Sequence, residues 1–179
     1  MSIQRLGVVR LTDEAILPQF ATSHSACFDI HCDLSVADKV QIYSPYNFKQ
    51  SATAYDVMVG PEGRYRLKLD SGCRALIPTG IALDIPEGYY VEIYARSGLS
   101  LKRGLRLVNS VGVIDSDYKQ ELFILLENSS KYITTIEQSD RICQARMVEL
   151  TKTVIEERDS LTETDSNRTG GFGSTGVKL

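Results

Sequence analysis

An all-β sandwich or barrel is the fold class this chain predicts, and three observations carry it. From residue 3 to 150 the pattern is short β-branched or aromatic segments punctuated by turn residues, few of them long enough for a helix. Those segments recur about every ten residues, as in sandwiches and barrels. The chain has 179 residues, 42% of them hydrophobic and 24% charged, a composition that supports one core without a metal or disulfide staple. Folding at this size removes at most roughly 20,000 Å² of chain surface from water.

Residues 39–66 (KVQIYSPYNFKQSATAYDVMVGPEGRYR) contain four tyrosines and a phenylalanine but no catalytic pattern, and read as an extended hairpin at the edge of the domain. Val59 to Gly63 form a turn within it. Cys73 to Ile85 and Tyr89 to Tyr94 are strand-like runs separated by the turn Pro86, Glu87, Gly88. Leu105 to Ile114, Gln120 to Glu127 and Arg141 to Leu150 continue the pattern. Residues 156–166 are acidic and polar, with little to bury, and read as a solvated arm leading to the glycine-rich tail 167–179. The expected organisation is a β domain over 1–155 and a linker and arm over 156–179.

Composition excludes several classes of function. A net charge of −3 and a pI near 5.4 give no whole-molecule attraction for a phosphate backbone, so no nucleic-acid partner is expected and any phosphate site is local. No apolar run reaches the roughly 18 residues of a membrane span, so no membrane partner is expected. The segment MSIQRLGVVRLTDEA lacks the regions of a secretory signal, and the expected location is the cytoplasm. The four cysteines, Cys27, Cys32, Cys73 and Cys143, contain no CxxC pair and read as free thiols.

Four stretches have residue types suited to chemistry. Arg96, Ser97 and Gly98 follow the run ending at Tyr94 and offer a guanidinium, a hydroxyl and an uncovered backbone N–H, all donors for phosphate oxygens; in isolation they read more simply as an ordinary surface turn with a solvated arginine. In Asn109 to Tyr118 (NSVGVIDSDY), Asp115 and Asp117 share one face of an extended chain. A carboxylate beside Val113 and Tyr118 suits a general base for water, Asn109 can read a base edge, and the Tyr118 ring can pack a sugar; the competing reading of DSD is an Asx turn. In Ser139 to Gln144, regular alternation puts Arg141 and Gln144 on opposite faces, and Gln144 is either a phosphate donor or an edge residue facing water. The tail places Phe172 among Gly170, Gly171, Gly173 and Gly176, with Ser174 and Thr175 alongside, a composition that suits a lid over a nucleotide, although taken alone a frayed terminus is the simpler reading. A window of His24, Cys27, His31 and Cys32 matches no closed zinc spacing and is set aside; Asp29 within it is the more useful residue.

Taken in order, ACFD (26–29), RSGL (96–99), NSVGVIDSDY (109–118), DRICQ (140–144) and GGFGSTG (170–176) resemble the five motifs of the trimeric deoxyuridine triphosphatases, across nearly the whole chain. The resemblance implies a jelly-roll-like subunit and a homotrimer with C-terminal arm exchange and active sites between subunits. It implies Mg²⁺-dependent hydrolysis of dUTP to dUMP and pyrophosphate, which limits uracil in DNA and supplies dUMP for dTMP synthesis. By the resemblance, Asp115 is the base that orients water towards the α-phosphorus. Asn109 and the backbone around Val113, Ile114 and Phe123 read uracil, and Tyr118 excludes a ribose hydroxyl. Arg96, Ser97, Gly98 and Gln144 contact phosphates, and Asp29 holds magnesium-bound water. Phe172, Gly173, Ser174 and Thr175 close over the nucleotide, and Arg168 grips the γ-phosphate.

The chain departs from the family pattern in four places. Cys27 and Phe28 replace the glycine and tyrosine of AGYD, and Gln120 stands where glycine is common. Asn167 occupies the tail position of the usual arginine, with Arg168 one residue closer to Phe172. The interval from Asp29 to Arg96 is longer than usual by about twenty residues, so 39–66 reads as an insertion that loop-closure entropy tolerates, and as an accessory surface for a protein partner. Two alternatives stand beside hydrolysis. A dCTP deaminase, or its bifunctional form, needs a catalytic Glu at the position of Leu125. A nucleotide-sensing module would use the insertion to bind a regulator.

Overall fold

The computed structural model describes residues 4–51, 57–60 and 63–162. The strands are β1 (Gly7–Arg10), β2 (Gln19–Phe20), β3 (Phe28–His31), β4 (Gln41–Tyr43), β5 (Lys49–Ser51), β6 (Val57–Val59), β7 (Tyr65–Leu69), β8 (Arg74–Asp84), β9 (Tyr89–Tyr94), β10 (Leu105–Leu107), β11 (Val111–Ile114), β12 (Glu121–Asn128), β13 (Thr134–Glu137) and β14 (Arg141–Glu149). A 3-10 turn spans Ala37–Lys39, and a short helix, α1 (Ser97–Arg103), follows β9.

All the pairings are antiparallel. One sheet runs β10-β12-β8-β4-β5, with β1 also on the long strand β8; a second runs β11-β9-β14-β3-β2; a third runs β13-β7-β6. Alternation within the strands sends one face inward. In β12, Leu122, Ile124 and Leu126 are buried, while Phe123 and Leu125 are only half-buried. In β9, Val91 and Ile93 are buried, and Tyr90, Glu92 and Tyr94 lie on the other face. Together with Ile30, Leu67, Leu69, Ile77, Leu105 and Ile142 they form one apolar core.

Residues 39–66 are not a single appendage. Val40 and Ile42 are core residues, and β4 pairs with β8 before turning into β5 at the sheet edge. β7 carries Leu67 and Leu69 into the core beside β13. Edge-hairpin character therefore belongs to β4–β5, while both ends of the segment are built into the domain. Beyond β14, residues 150–162 have no regular secondary structure; Val154, Ile155 and Leu161 are almost fully exposed. Among the described residues no helix is long and apolar enough to cross a membrane.

Candidate active site

The second sheet places the acidic and basic groups. In its register Gln144 of β14 lies opposite both Asp29 of β3 and Tyr94 of β9, so Asp29 and Gln144 lie side by side next to the end of β9. Arg96 follows that end and caps α1, with its carbonyl accepting from Leu99 N–H and Ser100 N–H at 3.0 Å each. The chain thus turns into a helix at RSG, a feature that strand periodicity does not signal. The first N–H groups of a helix lack carbonyl partners in the preceding turn, which leaves the Ser97 and Gly98 donors available.

Asp29 is 9% exposed and clamped by two arginines. Arg96 Nε donates to its Oδ1 at 3.0 Å, and Arg141 Nη1 to its Oδ2 at 3.0 Å. Arg96 Nη1 also donates to the Arg141 carbonyl at 3.1 Å, and Gln144 Nε2 to the Ala95 carbonyl at 3.0 Å. Arg141 is the site residue that alternation assigned to the wrong face. A bulge between Arg141 and Cys143 inserts one residue into β14, so Ile142 and Cys143 are both buried and Arg141 comes round to the face of Asp29 and Gln144. Burial holds the neighbouring His31 imidazole below its ordinary value, and its Nδ1 is enclosed without a hydrogen-bond partner among the described residues.

Asp29, Arg96, Ser97, Gly98 and Gln144 line a cavity of about 550 Å³ with Ala21, Ser25, Ala26, Cys27, Leu99 and Lys102; Arg141 braces Asp29 from outside it. The lining has two cations, Arg96 and Lys102, and one carboxylate, Asp29, which is already paired, so the cleft suits an anion. A side chain at Gly98 would meet nothing within 4 Å, so the fold of this chain does not itself require glycine there. The open space belongs to the cleft. Sequence reasoning missed Lys102, whose place on the short helix no motif marks.

A second cavity, about 310 Å³, is lined by Leu76, Val113, Ile114, Asp115, Tyr118, Leu122 and Phe123. β11 pairs with β9 and delivers Val113 and Ile114; Asp115 to Tyr118 then form a β-turn closed by Tyr118 N–H to the Asp115 carbonyl at 3.2 Å. Asp115 is exposed, as is Tyr118 at 40%, and both face solvent from an apolar wall. Asn109 sits at the mouth of β11, where a side chain at Gly112 would come within 3.3 Å of its Nδ2. A carboxylate, a flat ring and an apolar wall suit a planar base on a sugar, with water held near the carboxylate.

The two cavities share no residue. One chain brings Asp29, Arg96, Ser97, Gly98 and Gln144 together, and separately Val113, Ile114, Asp115, Tyr118 and Phe123. Arg168, Phe172, Gly173, Ser174 and Thr175 lie outside the described residues. Among the described residues no group of three or more His, Cys, Asp or Glu side chains is placed to hold a metal ion.

Fold and cavities together give an antiparallel β protein with one cleft lined by cationic and N–H donor groups and a separate apolar cavity edged by a carboxylate and a tyrosine ring. The family model for dUTPase matches residues 44–176, and the chain belongs to that family. A curated relative, deoxyuridine 5'-triphosphate nucleotidohydrolase of Brucella melitensis biotype 2, is 47% identical over 178 residues, covering 98% of this chain and 96% of the relative. Among solved structures, a mutant dUTPase of Staphylococcus bacteriophage 80alpha with dUpNHpp matches with a TM-score of 0.71 at 21% identity, covering 98% of this chain and all of that one. A mutant dUTPase from phage phi11 of S. aureus, solved with the coordination of a structural Mg(II) ion, matches with a TM-score of 0.62 at 20% identity, covering 88% of this chain and 98% of that one. At these identities the two structures speak for the shared fold.

Proposed function

We propose that this chain hydrolyses dUTP to dUMP and pyrophosphate as a homotrimer, each site built from the anion cleft of one subunit and the Asp115 cavity of the next. The observation that supports this reading is the complementarity of the two cavities: among the described residues, one is lined by cationic and N–H donors but no free base, the other by a carboxylate and a ring platform but no cation. Cyclic assembly of identical subunits brings two such unlike patches face to face in a closed ring.

In this arrangement Arg96, Gln144, the Ser97 hydroxyl and the Gly98 N–H bind the triphosphate. The backbone of Val113 and Ile114, with Asn109 and Phe123, reads uracil, and the Tyr118 ring closes off the space of a ribose 2′-hydroxyl. Asp115 accepts a proton from water as the oxygen attacks the α-phosphorus; the bond from that phosphorus to the bridging oxygen breaks, and pyrophosphate leaves with the electron pair. Ser97 stabilises the leaving oxygen. The arm beyond β14 crosses to another subunit, where Phe172 covers the base, Gly173, Ser174 and Thr175 bind phosphates, and Arg168 meets the γ-phosphate. Closure excludes water other than the nucleophile.

The residues fit a magnesium ion that arrives on the triphosphate rather than one caged by protein. Asp29 is the carboxylate that lines the anion cleft, and both its oxygens are engaged by arginines, which leaves it to contact the ion through water. When bound, Mg²⁺ neutralises triphosphate charge and polarises phosphorus. The chain's own task is then positioning, and no dedicated metal cage is needed.

The test is pyrophosphate release from a panel of deoxynucleoside triphosphates, with and without Mg²⁺. Turnover of dUTP alone, dependent on the ion, is expected. Ammonia release from dCTP would favour a deaminase, against which stands Leu125, half-buried in β12 at the position that needs a proton-shuttling Glu. Binding of dUTP without turnover would favour a sensor.

A further inference from the structure

Tyr118 is 40% exposed, and the far end of its ring is tied by its hydroxyl, which donates to the Glu121 backbone carbonyl at 2.9 Å. Glu121 opens β12 and is itself a buried charge, 9% exposed, a placement that is unfavourable unless both carboxylate oxygens are satisfied. They are. Oε1 accepts the Gly80 N–H at 3.0 Å, and Oε2 accepts Lys39 Nζ at 2.6 Å.

The Gly80 donor is aimed at the carboxylate by a break in the ladder. Pairing of β8 with β12 shifts register between Glu121 and Phe123, and Gly80 adopts φ +67°, a left-handed conformation that favours glycine. A side chain there would lie 2.6 Å from Thr12 Oγ1 and 2.7 Å from Asp33 Oδ2, so the bulge admits no other residue without a shift of its neighbours. Three segments distant in sequence, the 3-10 turn ending at Lys39, the β8 bulge and the start of β12, therefore converge on the residue that holds the Tyr118 ring.

We infer that Glu121, braced by Lys39 and the Gly80 bulge, is a positioning residue for the Tyr118 platform and thereby sets the preference for deoxyribose over ribose. The inference rests on the dUTP reading above. Neither Glu121 nor Lys39 lines the Asp115 cavity, so both act through Tyr118. Lys39 also gives the start of the 39–66 segment a task in the site.

The experiment compares kcat/KM for dUTP and UTP, with a thermal melt as a control, for wild type, Lys39→Met, Lys39→Arg, Glu121→Gln and the Lys39→Met/Glu121→Gln double variant. The dUTP-to-UTP ratio falls about five- to tenfold in Lys39→Met and in Glu121→Gln, falls no further in the double variant, and recovers in Lys39→Arg. An unchanged ratio in Lys39→Met, with or without a lower melting temperature, overturns the inference and leaves the ion pair a purely structural brace. Should Glu121→Gln not fold, Lys39→Met decides alone, since its side chain is 38% exposed. Failure of wild type to turn over dUTP would instead overturn the underlying reading, a distinct result.

Discussion

Replacing Asp29 by Asn removes one charge from the centre of the anion cleft while keeping its volume. Two arginines donate to that carboxylate at 3.0 Å each, and the carboxylate side chain is 12% exposed, whereas the arginines are 26% and 50% exposed. Hydrogen bonds to a charged group contribute about 1.5–3 kcal/mol each when well shielded, and solvent around Arg141 reduces its share towards the surface value of under about 1 kcal/mol. Because Asn still accepts one bond, the net loss is about 2 kcal/mol, which for a chain of this length lowers Tm by about 4–8 °C. The assay is a thermal melt at fixed protein concentration, since the proposed assembly would make Tm concentration-dependent. With the anchor gone, Arg96 also loses its aim, and kcat/KM for dUTP falls about tenfold or more. A Tm within about a degree of wild type would refute the energetic argument. An Asp29→Asn/Arg96→Met double variant whose losses simply add would refute the coupling.

Asp115→Asn retains dUTP binding, measured by calorimetry, and loses at least about a hundredfold in kcat, because the amide cannot accept the proton of the attacking water. Removing residues 167–179 leaves melting behaviour and oligomeric state close to wild type by light scattering, while kcat/KM drops sharply because nothing closes the site. The folded-state value of His31 is depressed by burial, so the unfolded chain takes up the proton first. The stability His31 contributes is present above its ordinary value near 6.5 and is lost as pH falls from there through the lowered folded-state value. His31→Asn should flatten the decline in Tm over that window, and an identical slope in both proteins would show that His31 does not contribute.

Fold class was legible because strand alternation is set by burial. The runs that carry Val91, Ile93, Leu122, Ile124 and Leu126 read as half-buried strands from the sequence and are so in the structure. Strand ends and irregularities were less legible, since no single residue type marks a bulge. The extra residue in β14 moved Arg141 to the opposite face from the one that counting assigns. The helix at Ser97–Arg103 interrupts a stretch that periodicity treats only as a strand end. Residues 39–66 look like an accessory hairpin by composition, yet Val40 and Ile42 pack in the core, because aromatic, polar-rich segments can still bury alternate residues. The candidate site residues stand out as motifs, but the division of the described ones between two cavities does not, since spacing along a chain says nothing of which side chains share a wall.

The claim on which the mechanism depends is that a working site needs two subunits, and mixed assemblies test it most directly. In the proposed trimer, Arg96→Met impairs the anion cleft and Asp115→Asn the water-activating cavity, so each variant assembled alone should be nearly inactive. When equal amounts are unfolded and reassembled together, a random trimer pairs an intact cleft with an intact Asp115 in about one site in four, and activity should rise to about a quarter of wild type. Activity no greater than the average of the two separate variants would place both half-sites in one chain and contradict the account.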